Sequence, residues 1–203
     1  MIVLDHFAIA AETLESGRAY AEEVLGVPLL PGGRHPHFGT HNLLLGLEDG
    51  LYLEVISIDP DAPAPEYPRW FDLDRFTGRA RPTNWICRTD DLSGFVAEHP
   101  QAGVPVPLAR GDLRWQMSVP PTGILPYDNM FPAVIEWAGD DTPARRLPAS
   151  GCRLKMLTIS HPDADLLSQT LAPVFQETRV RFETAPAGLV AEMDTPSGVR
   201  VLE

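Results

Sequence analysis

Apolar and polar positions in this chain fall into short blocks, each of a length that suits a strand or a brief helix. The first block opens with Ile2–Ala10 (IVLDHFAIA), rich in strand formers and too short for a buried helix. Alternation along it sets Ile2, Leu4, His6 and Ala8 on one face, with Asp5, Phe7 and Ile9 on the other. Thr13 or Glu12 caps the helix that follows, whose apolar positions Ala19, Ala21, Val24 and Leu25 recur at helical spacing, and Gly26 closes it. A turn at Pro31-Gly32-Gly33 leads to a strand at His35–Phe38. Gly39 then turns into Asn42–Leu47, and Asp49-Gly50 predicts a hairpin into Leu51–Ile56. The order is β-α-β-β-β.

The second block repeats it. Thr83–Arg88 reads as a strand, Asp90-Asp91 starts a short helix towards His99, and strands follow at Val104–Leu108, Leu113–Val119 and Ala133–Trp137. Laying the blocks over each other puts DHFAIAAETL on TNWICRTDDL and YLEVI on VIEWA, so that His6 meets Asn84 and Glu54 meets Glu136. The two spacings agree: 48 positions from His6 to Glu54, 52 from Asn84 to Glu136. Such self-similarity marks a duplicated unit. A third block starts alike at Leu154–Ser160, continues with a helix over Asp163–Ala172 and strands at Val180–Thr184, Leu189–Met193 and Val199–Leu202, but has Met156 where the first has His6.

The 21 prolines punctuate these blocks. They delimit a first module over 1–60, a linker or loop over 61–80, a second module over 81–142 and a degenerate third over 151–203. The formal charge of −12 disfavours nucleic acid and anionic membrane as partners. Cys87 and Cys152 fit no metal or redox spacing and suit a reducing cytosol, and Met1–Ala10 lacks the basic region of a signal peptide, so a cytoplasmic location is expected.

The residues that stand out are polar ones in apolar strands. Glu54 lies in YLEVI, apolar on both sides, where a carboxylate is costly unless paired or bound to a metal. The alternative is an ion pair to an arginine such as Arg34, Arg79 or Arg81, and the functional reading is the favoured one. Glu136, between Ile135 and Trp137, carries the same argument. His35, His37 and His41 form an HxHxxxH run that Gly39 interrupts, which reads as a loop edge exposed to water. Trp85, Trp115 and Trp137 read as core or cavity wall. There is no G-x-S-x-G, P-loop, G-x-G-x-x-G, H-E-x-x-H or C-x-x-C, so no nucleotide cofactor is expected.

A duplicated β-α-β-β-β unit with LDH on its first strand and YLEV on its fourth resembles the vicinal oxygen chelate superfamily of glyoxalases, bleomycin-resistance proteins and extradiol dioxygenases. GGRHPHFGTHNLLLGL followed by YLEVISIDP is similar to its glyoxalase-like domain group. The resemblance implies an α+β fold in which paired modules form a partial barrel around a cavity, with the third module added at the C-terminus. It implies a divalent metal (Zn, Ni, Mn, Mg or Fe(II)) held by His6, Glu54 and Glu136, with Asn84 standing where many members have a ligand. Glu54 and Glu136 would move protons, and Arg34, His37, Asn42, Asn84 and Trp85 would line the pocket. The implied activity is a lyase, isomerase or dioxygenase acting on a small oxygenated molecule. The alternative is a metal-free module that binds or sequesters a small ligand. A homodimer is the expected assembly.

Overall fold

The computed structural model describes all of residues 1–203. The first module runs β1 (Val3–Ala10), α1 (Leu14–Leu25), β2 (Leu30–His35), β3 (Thr40–Gly46) and β4 (Tyr52–Ile58). Thr13 caps α1 by accepting from Ser16 N–H at 3.1 Å, and Gly26 ends it at φ 72°, a left-handed conformation that favours glycine. The second module runs β5 (Arg81–Arg88), α2 (Leu92–Glu98), β6 (Val104–Arg110), β7 (Leu113–Val119) and β8 (Ala133–Trp137). After the short helix α3 (Pro143–Arg146), the third block gives β9 (Arg153–Ser160), α4 (Ala164–Leu171), β10 (Val180–Glu183), β11 (Gly188–Thr195) and β12 (Gly198–Leu202).

The two modules share one eight-stranded sheet in the order β2-β3-β4-β1-β5-β8-β7-β6. Within each module the first strand pairs parallel with the fourth, and β1 and β5 join the modules antiparallel. The sheet curls until its two edge strands approach: Gly33 on β2 lies so close to the stem of Arg110 on β6 that an added Cβ would sit 2.5 Å from Arg110 Cδ. The helices cover the convex face, and the concave face encloses the cavity. The third block keeps the element order but not the wiring. Its sheet runs β10-β9-β11-β12, with its first strand parallel to its second. It packs behind the second module, where Trp85 meets Phe175 and Phe182 at 5.2 and 6.2 Å between ring centroids. No helix is long and apolar enough to cross a membrane.

Two local departures from the sequence pattern shape the cavity. Pro31-Gly32-Gly33, expected as a turn, lies inside β2 at a register shift, and the turn itself comes later, at Pro36–Gly39. The second is a bulge in β1: Leu4 pairs with Cys87 and His6 with Ile86, leaving Asp5 as the extra residue. The simple alternation expected for this strand therefore fails at Asp5. Leu4 turns to the helix side, while Asp5 and His6 both reach the concave side.

Candidate functional site

Five strands supply the polar lining of the cavity, and each contribution follows from strand register. Glu54 and Tyr52 alternate with Leu53 and Val55 on β4, and the pairing of His6 with Tyr52 and of Ala8 with Glu54 sets β1 beside them. Asn42 comes from β3, His35 from the end of β2 and Arg110 from the end of β6. Trp115, Met117, Ile135 and Trp137 form the opposite, mostly apolar wall. Trp70 and Phe71, from the segment between the modules, complete the lining. The space between these side chains is about 20 Å³, room for one ordered water.

Glu54 is buried and held from two sides. Asn42 Nδ2 donates to Oε1 at 2.6 Å, and His6 Nε2 lies 3.6 Å from Oε2. Burial works against the carboxylate charge, yet His6 and the Asn42 hydrogen bond outweigh it and bring the carboxyl down to about 2. Burial also works against a charged His6, but Asp5 and Glu54 on either side raise its pKa above the usual 6.5 and favour the imidazolium. Asp5 Oδ1 accepts from His6 Nδ1 at 2.7 Å, while Asp5 Oδ2 takes the Trp137 indole N–H at 3.3 Å and faces Arg88 at 3.6 Å. Tyr52 stacks on the His6 ring with centroids 4.2 Å apart, and its hydroxyl lies 3.4 Å from Nε2. Burial raises that phenol far above its ordinary range, so it stays protonated.

Behind this row sits His35. Its Nδ1 lies 3.0 Å from Thr40 Oγ1, and its Nε2 faces Arg110 Nη1 at 3.2 Å and Asn42 Nδ2 at 3.4 Å. Desolvation lowers its pKa to about 4, so at neutral pH it is uncharged. Two donors facing Nε2 make that nitrogen the acceptor and put the proton on Nδ1. Asn42 is thereby fully used: Oδ1 takes the Gly33 N–H at 2.8 Å, and Nδ2 serves Glu54 and His35.

The expected residues divide. His6, Glu54 and Asn42 meet in the cavity. Glu136 does not: its carboxylate lies on the convex side, where it accepts the Leu92 N–H at 2.8 Å and caps α2. The reason is register. Ala8 pairs with Glu54 in the first module and the corresponding Ile86 with Ala133 in the second, so YLEVI matches FPAVI and Ala133 is the counterpart of Glu54. The overlay on the shared glutamate is three residues off, and an odd shift exchanges the faces of a strand. Trp85 is also outside the cavity, its indole donating to Met130 O at 2.8 Å behind the sheet. Arg34 is exposed and pairs with Asp59 and Asp61 at 3.3 and 3.1 Å, and His37 is exposed and stacks on Tyr67 at 4.8 Å. Asn84 shares the face of Ala8 and is fully buried, with neither amide atom hydrogen-bonded.

This donor set does not fit the expected divalent metal. No three His, Cys, Asp or Glu side chains are arranged so that they could hold a metal ion together. His6 and Glu54 make half a site, and the second module faces them with Ile135, Trp137 and Met117. A cation, Arg110, lines the same cavity. Asp5, Tyr52, His35 and Arg110 are not among the expected site residues. A buried-strand aspartate next to a histidine is the one signal for Asp5; the placement of Arg110 depends on sheet closure, which leaves no mark in the sequence.

A family model described as a glyoxalase-like domain matches residues 4–175. No curated protein matches the chain. Among solved structures, a hypothetical protein from Staphylococcus aureus is 14% identical over 93% of this chain and 88% of its own, with a TM-score of 0.61. A methylmalonyl-CoA epimerase from Streptomyces coelicolor is 15% identical over 69% of this chain and 97% of its own, with a TM-score of 0.45. The corresponding enzyme from Mycobacterium tuberculosis is 18% identical over 66% and 85%, with a TM-score of 0.42. At these identities the likeness concerns the fold alone.

Proposed function

Because the chain belongs to the glyoxalase-like domain family, within the vicinal oxygen chelate superfamily, we propose that it converts a small oxygenated molecule by proton transfer of the isomerase or lyase type. In this reading the residues Asp5, His6 and Glu54 do the work that the superfamily commonly gives to a metal. The observation that carries it is the meeting of His6 and Glu54, 3.6 Å apart, in a cavity whose other wall is apolar.

The chemistry follows from the coupling of the two groups. Glu54 is a weak base while the imidazolium beside it holds its pKa down. When His6 gives its Nε2 proton to a substrate oxygen, that stabilisation disappears and Glu54 gains basicity. Glu54 can then take the proton from the neighbouring carbon as the oxygen receives one, which turns a ketone or aldehyde into its enol. Return of a proton to the same or the adjacent carbon completes an epimerisation or isomerisation. Asp5 holds the imidazole through Nδ1, the Trp137 and Arg88 contacts hold Asp5 in place, and the enol oxygen returns its proton to His6 Nε2 as carbon is reprotonated.

Hydrogen–deuterium exchange at carbon, followed by NMR in heavy water with a panel of small 2-oxo and 2-hydroxy compounds, tests this reading. Exchange that persists in chelator and is lost in Glu54→Gln is expected. Exchange that chelator abolishes and added metal restores would contradict it. Binding of these compounds with no exchange of any of them would favour the sequestering module instead.

A further inference from the structure

Three N–H donors around the cavity have no acceptor equal to them. The indole nitrogens of Trp70 and Trp115 are buried without a hydrogen-bond partner, on residues only 3% and 5% exposed. A buried donor left unmade costs about 1–3 kcal/mol, so such groups call for an occupant. Arg110 is the third. Its side chain makes one polar contact, to the neutral Nε2 of His35 at 3.2 Å, and that nitrogen is shared with Asn42.

The three side chains line one cavity. Arg110 pairs with Leu113 across the β6–β7 ladder, so Trp115 is its diagonal neighbour on the concave face. The ring of His35 lies 6.2 Å from that of Trp115 and 5.1 Å from that of Trp70. The His35 ring is thus flanked by a guanidinium and by two indole rings whose N–H groups have no acceptor. A planar anion with two oxygens matches a guanidinium fork and leaves lone pairs for the indoles. Arg110 also lines the open groove at the β2–β6 closure, beside Gly33 and Arg34, so it is within reach of an anion from solvent. Past the donors the walls are Met117, Ile135, Trp137 and Phe71, which suit an apolar body.

We propose that the cavity, about 20 Å³ here, widens to take a small organic carboxylate with an apolar body, its anion forked by Arg110 and hydrogen-bonded by the indole N–H groups of Trp70 and Trp115. This rests on the proposed function only in using the same cavity; the carboxylate end lies at Arg110, and the adjoining carbon is presented towards His6 and Glu54.

The test measures binding by tryptophan fluorescence and calorimetry, using phenylacetate, phenylpyruvate and indole-3-acetate, each beside its methyl ester. At least one acid is expected to bind the wild type tenfold or more tightly than its ester. Arg110→Gln should erase the preference, and Arg110→Lys should keep part of it. Trp115→Phe, which keeps the ring and removes the N–H, should weaken the acid severalfold and leave the ester unchanged. Esters binding as tightly as acids, no acid binding at millimolar concentration, or a preference that survives in a folded Arg110→Gln would overturn the proposal. Acid preference without carbon exchange would leave this inference standing and defeat the proton-transfer reading; exchange without acid preference would do the reverse.

Discussion

Asp5 and His6 are adjacent in sequence and yet face the same cavity, joined by a 2.7 Å hydrogen bond from His6 Nδ1 to Asp5 Oδ1. The bulge in β1 makes this possible, since regular alternation would send one of them to the helix side. Replacing Asp5 with asparagine keeps an acceptor oxygen and removes the charge, so the pKa of His6 should fall. The basic limb of the exchange profile should then move to lower pH. Wherever that limb moves by one pH unit, the rate near pH 8 should drop about tenfold, with little change near pH 6. A profile identical to wild type would show that Asp5 only fills space.

Gly32 is tied to the same site through Asn42. A Cβ on Gly32 would lie 2.0 Å from Asn42 Oδ1 and 2.9 Å from its carbonyl oxygen. Gly32→Ala is therefore expected to cost about 1–3 kcal/mol, read as a fall of several degrees in Tm, and to loosen the Asn42 hold on Glu54. Gly33→Ala meets only the flexible Arg110 side chain and should cost less. Equal melting temperatures for wild type and Gly32→Ala would contradict this packing.

Glu136 offers the opposite contrast. Its carboxylate caps α2 from the convex face, so Glu136→Gln should lower stability by about 1 kcal/mol and leave carbon exchange within a factor of two. Denaturant unfolding and the exchange assay read the two effects separately. A collapse of exchange in a stable Glu136→Gln protein would return that residue to the site.

Acid should destabilise the fold in two overlapping steps. His35 has a folded pKa of about 4 against 6.5 unfolded, so the folded protein binds fewer protons and stability falls as pH drops from 6.5 towards 4. The full effect is about 3 kcal/mol. Glu54, held at about 2 against 4.5, adds stability above pH 4.5 that is lost as pH falls towards 2. Chemical denaturation at pH 7, 5.5 and 4 should show the first step in wild type and a flatter response in His35→Gln. Equal slopes would place the sensitivity elsewhere.

The strands and helices are legible because period-two and helical spacing survive in the sequence, as in Ile2–Ala10 and in the run from Thr13 to Gly26. The buried carboxylate at Glu54 is legible for the same reason: polarity inside an apolar strand is costly. Faces are harder to read. The bulge at Asp5 and the three-residue offset between Glu136 and Ala133 each reverse a side-chain direction without changing composition. Arg110, Trp70 and His35 come together only when the sheet curls and its edges meet, a long-range event that no local pattern records. Trp85 suits a cavity wall by its residue type alone, and the third sheet claims it instead.

The charge state of His6 in metal-free protein tests the central claim most directly. Nitrogen-15 NMR of the imidazole ring distinguishes imidazolium from either neutral tautomer. With Asp5 and Glu54 on its two nitrogens, both ring nitrogens should remain protonated above pH 6.5, and Glu54→Gln should bring that transition down. A neutral His6 at pH 6 in wild type, or ring signals that move only when a divalent metal is added, would contradict the proton relay.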